Sequence, residues 1–440
     1  MPHDVLGGED AAWLHMEDET NPMVVNAVLQ LAAPLPVERV RPLLERIAAL
    51  PRFRARVVER RSHVGPPRWE PMTDFDVRQH IEQVVLESSD DAALRAFIGS
   101  AVGELLDRDR PLWRLLVIDR PSAGTTLLFR VHHAIADGFA LLGVLLSVCD
   151  GDGEERPPMR APPRRSRTAL ALASVRALGR IVALPPDPKT LLKTPLGRHK
   201  RVAWSRPLPL ADVKRAAHLA NATVNDVLVA MAAGALGRYL EGRGQREESL
   251  EVRAMVPVDL RGAERVTALG NRFGLVVLGL PVGVVDPVAR LTAVKQRMDL
   301  LKGTPEAAVT HAVLRAMDWA PRAIEALGVR FFGTKTSLVL TNVPGPQTVL
   351  SLAGVPISRV IFWVPQAARM GLGVSILSYA GEVTIGVLAD DRVIPDLGAL
   401  MTALDLEVAA LLAGISGGDE RRASTQGAMA DGRSVAAGGP

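Results

Sequence analysis

The sequence predicts two domains of mixed α and β structure, of the α/β or α+β class. Three observations carry this. Apolar runs of strand length with period-two alternation occur in both halves, with longer helical stretches between them. The 440 residues exceed one ordinary core, and 48% of them are hydrophobic, enough to fill more than one. Between the halves lies a seam at residues 151–167 (GDGEERPPMRAPPRRSR), whose Pro, Arg and Gly content suits an exposed linker.

In the first half, VVNAVLQL (24–31) reads as a strand, and WRLLVID (113–119) and TTLLFRV (125–131) read as a hairpin joined by Arg-Pro-Ser-Ala-Gly. Leu127, Phe129 and Val131 share one face. Continued alternation puts His133 on that face and His132 on the other, with Leu128 and Arg130. FALLGVLLSV (139–148) is long and apolar enough for a buried helix, and Asp137 is placed to cap it. Past the seam, residues 168–184 read as a helix carrying Arg176 and Arg180, stopped by Pro185, Pro186 and Pro188. Lys189, Lys193, Arg198, Lys200 and Arg201 follow. In the second half, residues 227–240 and 289–301 read as helices. RFGLVVLGLPV (272–282), TSLVLTNV (336–343), GLGVSILSYAG (371–381) and EVTIGVLAD (382–390) read as strands. Beyond Gly417 apolar periodicity ends and a disordered tail is expected. The expected boundaries are 1–150 for the first domain, 151–200 for a basic crossing segment, 201–416 for the second domain and 417–440 for the tail.

Composition narrows the function. A net charge of +4 over this length is too even to argue for nucleic acid, and 4% aromatic residues leave little for base stacking. The one cysteine, Cys149, closes an apolar segment without a basic setting and reads as core, so a reducing, cytoplasmic compartment is expected. The first residues lack an apolar signal region, and no run reaches the ~18 apolar residues of a spanning helix. There is no Gly-x-Ser-x-Gly elbow, no Gly-x-x-x-x-Gly-Lys loop and no paired spacing for zinc. The basic crossing segment has two readings: a solvated linker, or a cationic contact with anionic lipid headgroups or with the phosphates of coenzyme A.

Positions 132–138, His-His-Ala-Ile-Ala-Asp-Gly, join the hairpin to the apolar helix. A lone histidine beside a strand is usually packed core, and Asp-Gly alone can be a cap with a turn. Together, at this spacing, they resemble the His-His-x-x-x-Asp-Gly signature of acyltransferases related to chloramphenicol acetyltransferase and to peptide-synthetase condensation domains. Further motifs resemble the bacterial wax ester synthase/diacylglycerol acyltransferases. These are Asp10-Ala-Ala-Trp-Leu-His-Met-Glu17 with Asn21-Pro-Met23, Pro111-Leu112-Trp113, Thr223-Val-Asn-Asp-Val227, Pro257-Val-Asp-Leu-Arg261, Gly270-Asn271, Thr341-Asn-Val-Pro-Gly-Pro346, Ser378-Tyr379 and Ala389-Asp-Asp391. The resemblance runs from about Leu6 to about Leu412. Thr194-Pro-Leu-Gly197 departs from the family's Thr-Pro-x-Asn element, so no role for that asparagine carries over.

The resemblance implies two chloramphenicol-acetyltransferase-like domains forming a pseudo-dimer around an active-site tunnel. It implies acyl transfer from acyl-CoA to diacylglycerol or a long-chain alcohol, with acyl-CoA as substrate and no cofactor. His133 would be the general base and Asn271 a donor to the oxyanion near it. His132 and Gly138 belong to the same motif. Asn225 and Asp226 would shape the site, or cap the following helix. Asp137 is expected to be structural, with Arg261 as its candidate partner, and Pro111, Leu112 and Trp113 to shape the site. His80 is expected to pack. Two other readings stay open: an inactive lipid- or acyl-CoA-binding paralogue, and a condensation-type enzyme with a carrier-protein donor. Placement in the cytoplasm, with peripheral contact at a membrane or lipid droplet, is the accompanying expectation.

Overall fold

A computed structural model describes residues 5–59, 67–150, 176, 179–180, 182–260, 271, 273–302, 304–316 and 322–434. Strands of the first half are β1 (Val24–Leu31), β2 (Ala55–Val58), β3 (Arg68–Pro71), β4 (Ile81–Val85), β5 (Trp113–Asp119) and β6 (Thr126–His132). Its helices are α1 (Gly8–Met16), α2 (Val37–Ala48), α3 (Asp91–Val102) and α4 (Gly138–Val148). The second half holds β7 (Lys200–Trp204), β8 (Leu208–Pro209), β9 (Val252–Asp259), β10 (Phe273–Leu280), β11 (Leu338–Pro344), β12 (Ser351–Leu352), β13 (Val355–Trp363), β14 (Leu372–Tyr379) and β15 (Glu382–Asp390). Its helices are α5 (Leu210–Leu219), α6 (Val224–Glu241), α7 (Pro287–Lys302), α8 (Glu306–Ala316), α9 (Arg322–Lys335) and α10 (Leu397–Ser434).

Two mixed sheets organise the strands, apart from β2 and β3, which pair antiparallel with each other. The first runs β12-β13-β1-β6-β5-β4, and the second β10-β9-β11-β14-β15-β7, with β8 paired to β15. Every residue of β6 is buried. Leu127, Phe129 and Val131 pack into the core beneath α2 and α4, while Leu128 packs with Val28 and Leu116 against α3 and against Trp204 and Trp363. A strand covered on both faces needs an apolar run, which TLLFRV supplies apart from Arg130. Its guanidinium donates to Asn26 Oδ1 (3.3 Å) and to the Glu104 carbonyl, and burial pushes its pKa down to about 10.

The expected boundary between the domains does not hold for the sheets. β12 and β13 come from the second half but complete the first sheet, with Asn26 opposite Trp363 and Leu29 opposite Val360. The alternation of VPISRVIFW gives β13 an apolar face, and β1 offers it an edge that would otherwise be open. Inside the second sheet, β11 pairs with β9 only at Leu338–Ala254 and Val339–Met255. Pro257 follows on β9, where it has no amide hydrogen to offer a neighbour. The two strands therefore part.

Two further expectations change. The tail does not lose structure at Gly417, because α10 continues to Ser434. Adding residues to an existing helix is far easier than nucleating one, and the stretch from 417 to 434 carries three Ala and three Arg beside its four Gly. The part of α10 at Leu397–Ile415 is also long and apolar enough to cross a membrane, with mean hydropathy 1.7. It packs one face instead. Leu400, Leu404, Leu411 and Ile415 are buried in the core of α6, at helical spacing. Glu407 lies on that same face, paired with Arg290 of α7 and with Arg238 Nε of α6 (2.8 Å). In the crossing segment, residues 151–175 lie outside the described residues. Arg180 is spent on buried Glu306 rather than free for lipid.

Glu407→Ala should leave two arginines without their buried counter-charge. We expect a loss of about 3–5 kcal/mol, read as a lowered midpoint in urea unfolding. A loss below about 1 kcal/mol would show that the triad behaves as a surface pair.

Candidate active site

The two histidines hang from opposite neighbours at the end of β6. The His132 amide donates to the Leu112 carbonyl (2.9 Å), and the His133 amide to the Met23 carbonyl (2.8 Å). Their side chains consequently enter different surroundings. His132 is fully buried. Its Nδ1 accepts from the Ala134 amide (3.0 Å), so the ring hydrogen sits on Nε2, which lies 3.3 Å from Glu17 Oε2. Burial works to raise the Glu17 pKa. The approach of His132, the Met23 amide and Arg108 outweigh it and hold Glu17 below the ordinary value.

His133 faces a cavity. Its imidazole stacks on Trp13 of α1, with ring centroids 3.9 Å apart, and meets Phe273 edge-on at 5.8 Å. Burial drives its pKa down to about 4, against the opposing charge of Asp137. The ring is therefore a free base at neutral pH. The cavity and its mouth together enclose about 520 Å³ outside protein atoms, open solvent included. Asp137, Gly138, Met255, Pro257, Thr341 and Val364 line it along with the three rings, at the place where β9 and β11 part. A second cavity of about 580 Å³ shares Trp13, Met255, Phe273, Leu275 and Ala367 and reaches Val329 and Phe332 of α9. The lining of both is nearly all apolar, which fits a hydrocarbon chain better than a polar one.

Asp137 caps α4, its Oδ1 accepting from the Ala140 amide (2.9 Å). Gly138 opens the helix, and a Cβ there would lie 3.5 Å from Val364, narrowing the cavity. Asn271 departs from its expected role. Its Nδ2 donates to Asp10 Oδ1 (2.6 Å) and to the His133 carbonyl (2.9 Å), so neither hydrogen is left for an oxyanion. Asn225 and Asp226 are not the cap of α6. Thr223 is, and Asp226 closes a capping box by accepting from the Thr223 amide (2.8 Å). Asn225 Oδ1 accepts from Asn342 (2.7 Å), beside Thr341 on β11. Pro111, Leu112 and Trp113 stand behind the histidines and do not line the cavities. Trp113 donates to the Phe53 carbonyl (2.9 Å) and stacks on His80 at 4.4 Å, which confirms His80 as packed. Arg261 lies outside the described residues. Cys149 is buried, and burial pushes its thiol up to about 11, as a core residue. The sequence reading did not single out Trp13, Phe273 or Thr341 as site residues. Their signal lay in the quoted motifs that contain or adjoin them.

The wax ester synthase/diacylglycerol acyltransferase catalytic-domain profile matches residues 6–185, and the profile of that family's C-terminal domain matches residues 269–411. The chain belongs to this family. A putative diacylglycerol O-acyltransferase of Mycobacterium tuberculosis is 29% identical over 89% of this chain and 87% of its own length. A probable diacylglycerol O-acyltransferase of the same organism is 26% identical over 92% and 95%. Among solved structures, the wax ester synthase/diacylglycerol acyltransferase of Marinobacter aquaeolei VT8 superposes with a TM-score of 0.71 at 22% identity, covering 94% of this chain and all of that one. The first condensation domain of the calcium-dependent antibiotic synthetase gives 0.62 at 15% identity, covering 93% and 95%. The two-domain fold of the acyltransferases is thereby established, and this member of the wax ester synthase/diacylglycerol acyltransferase family is an acyltransferase.

Replacing Asp137 separates its cap from its charge. Asp137→Ala should lower stability by about 1 kcal/mol, whereas Asp137→Asn keeps an acceptor for the Ala140 amide and should hold most of it. Denaturant melts of both variants check this. An equal loss in the two would tie the stability to the carboxylate's charge.

Proposed function

We propose that this family member moves a long-chain acyl group from acyl-CoA to the hydroxyl of diacylglycerol or of a long-chain alcohol, with His133 as general base. The observation that carries the reading is a buried, neutral imidazole at the wall of an apolar cavity between the two sheets. An alcohol is a poor nucleophile at neutral pH. As its oxygen attacks the thioester carbonyl, its proton passes to His133. The tetrahedral intermediate then collapses, the carbon–sulfur bond breaks, and the imidazolium returns the proton to the departing thiolate. The low pKa makes the protonated ring a strong acid for this last transfer. No acyl-enzyme is required. Trp13 and Phe273 fix the ring plane, and His132 supports the turn from its buried side.

Purified protein incubated with palmitoyl-CoA and either diacylglycerol or hexadecanol should release thiol and form neutral lipid. His133→Ala should reduce turnover to background while the protein stays folded, and His132→Ala should fall less far. Ligand binding without turnover would favour the inactive paralogue, and turnover confined to carrier-bound thioesters the condensation-type donor. The pH profile has a definite sign. Because His133 stays unprotonated down to about pH 4, kcat/KM should hold as pH falls through 6.5 and decline only near that depressed value. An acid limb centred at 6.5 would contradict this.

We further propose reversible contact of the basic crossing segment with anionic lipid surfaces. Arg164, Arg165 and Arg167 lie outside the described residues, and the support is charge alone. Anionic vesicles should float the protein at low salt and release it at high salt. Indifference to salt would leave the segment a plain linker.

A further inference from the structure

We infer that Asp10 and Arg52, which lie outside the His-His-x-x-x-Asp-Gly motif, are positioning residues that hold its turn and so aim His133. The inference rests on His133 being the base. The turn between β6 and α4 leaves carbonyls that no sheet ladder takes up. Three of them are claimed by side chains from elsewhere in the chain, the Ala134 carbonyl by a longer contact of 3.4 Å from Arg52 Nη1. Asn271 Nδ2 donates to the His133 carbonyl at 2.9 Å, and Arg52 Nη1 donates to the Ile135 carbonyl at 3.0 Å. Both donors are in turn fixed by one buried carboxylate. Asp10 Oδ1 accepts from Asn271 at 2.6 Å, and Asp10 Oδ2 lies 2.9 Å from Arg52 Nη1. Asp10 is 4% exposed.

The choice of residue follows from the donors. A carboxylate offers an acceptor in both directions. An amide at position 10 would turn its NH2 toward either Arg52 or Asn271, and one of those contacts would become donor against donor. Arg52 meets both Asp10 and the turn through the single nitrogen Nη1, which lies one bond farther from the backbone than a lysine Nζ, so an ammonium at this position would fall short of one or the other. Helix α1 adds the second hold. Trp13 lies three residues after Asp10, on the same face of the helix, and its indole covers the imidazole. The same short helix thus orients the ring and, through Asn271 and Arg52, the backbone beneath it. Displacements on the order of 1 Å at a reacting group cost up to about a hundredfold in rate, so a network of this kind is expected to act on turnover.

The test uses Asp10→Asn, Arg52→Lys and the double variant in the full chain, with palmitoyl-CoA and diacylglycerol as substrates. Each single variant should lower kcat by about ten- to a hundredfold while KM changes by less than about threefold and the melting temperature moves by a few degrees at most. The double variant should be no slower than the slower single one, because both break one network. Carbon-13 histidine spectra supply a readout independent of turnover. The His133 ring resonance, assigned by its absence in His133→Ala, should shift in both single variants. Wild-type kcat with an unshifted resonance in folded Asp10→Asn would overturn the proposal. So would a loss that matches the unfolded fraction, or multiplying effects in the double variant. Should Asp10→Asn fail to fold, Arg52→Lys carries the same readouts from the partly exposed end of the network. Absence of wild-type turnover would count against the proposed reaction, whereas the resonance shift would still decide the positioning role.

Discussion

Antiparallel pairing of β13 with β1 is the contact on which the site depends. It seats a strand from the second half inside the first sheet, and the chain that follows brings Val364 and Pro365 over the turn after β6. Without that pairing, His133 and the β9–β11 region would have no common wall. The seat is tight. Trp363 is fully buried beside Trp204, and a Cβ on Gly386 of β15 would come within 2.9 Å of its Nε1. Glycine at that position lets the two sheets approach. The cavity is thus a product of the junction, where strands of one sheet continue past the strands of the other.

Two adjacent histidines with the same chemistry are placed in opposite surroundings. Consecutive residues on an extended chain face opposite ways, and each has its amide held by a different neighbouring segment. His132 is enclosed among polar partners and has both ring nitrogens near them. His133 is enclosed among aromatic rings, which desolvate it and leave it uncharged. The two environments lie one residue apart.

Much of this was readable before the structure. The hairpin of β5 and β6, the capped α4 and the strands β10, β11, β14 and β15 follow from period-two and helical patterns whose partners are close in sequence. The elements that escaped notice are those decided at long range. VPISRVIFW becomes β13 because β1 offers it an edge more than three hundred residues away in the chain. Val252–Asp259 contains a proline that speaks against a central strand, and only the separation from β11 makes room for it. At the site, the motif located His133 and Asp137. It could not tell that Asn271 would turn both hydrogens toward Asp10 and the His133 carbonyl, since side-chain direction depends on what packs opposite.

Pro257 has a lasting consequence for the shape of the cavity. Where β9 leaves β11, ordinary strands would tend to zip together and fill the gap with paired backbone, and a residue without an amide hydrogen interrupts that ladder. The hollow beside His133 is therefore part of the resting fold and does not have to be wedged open by an arriving chain.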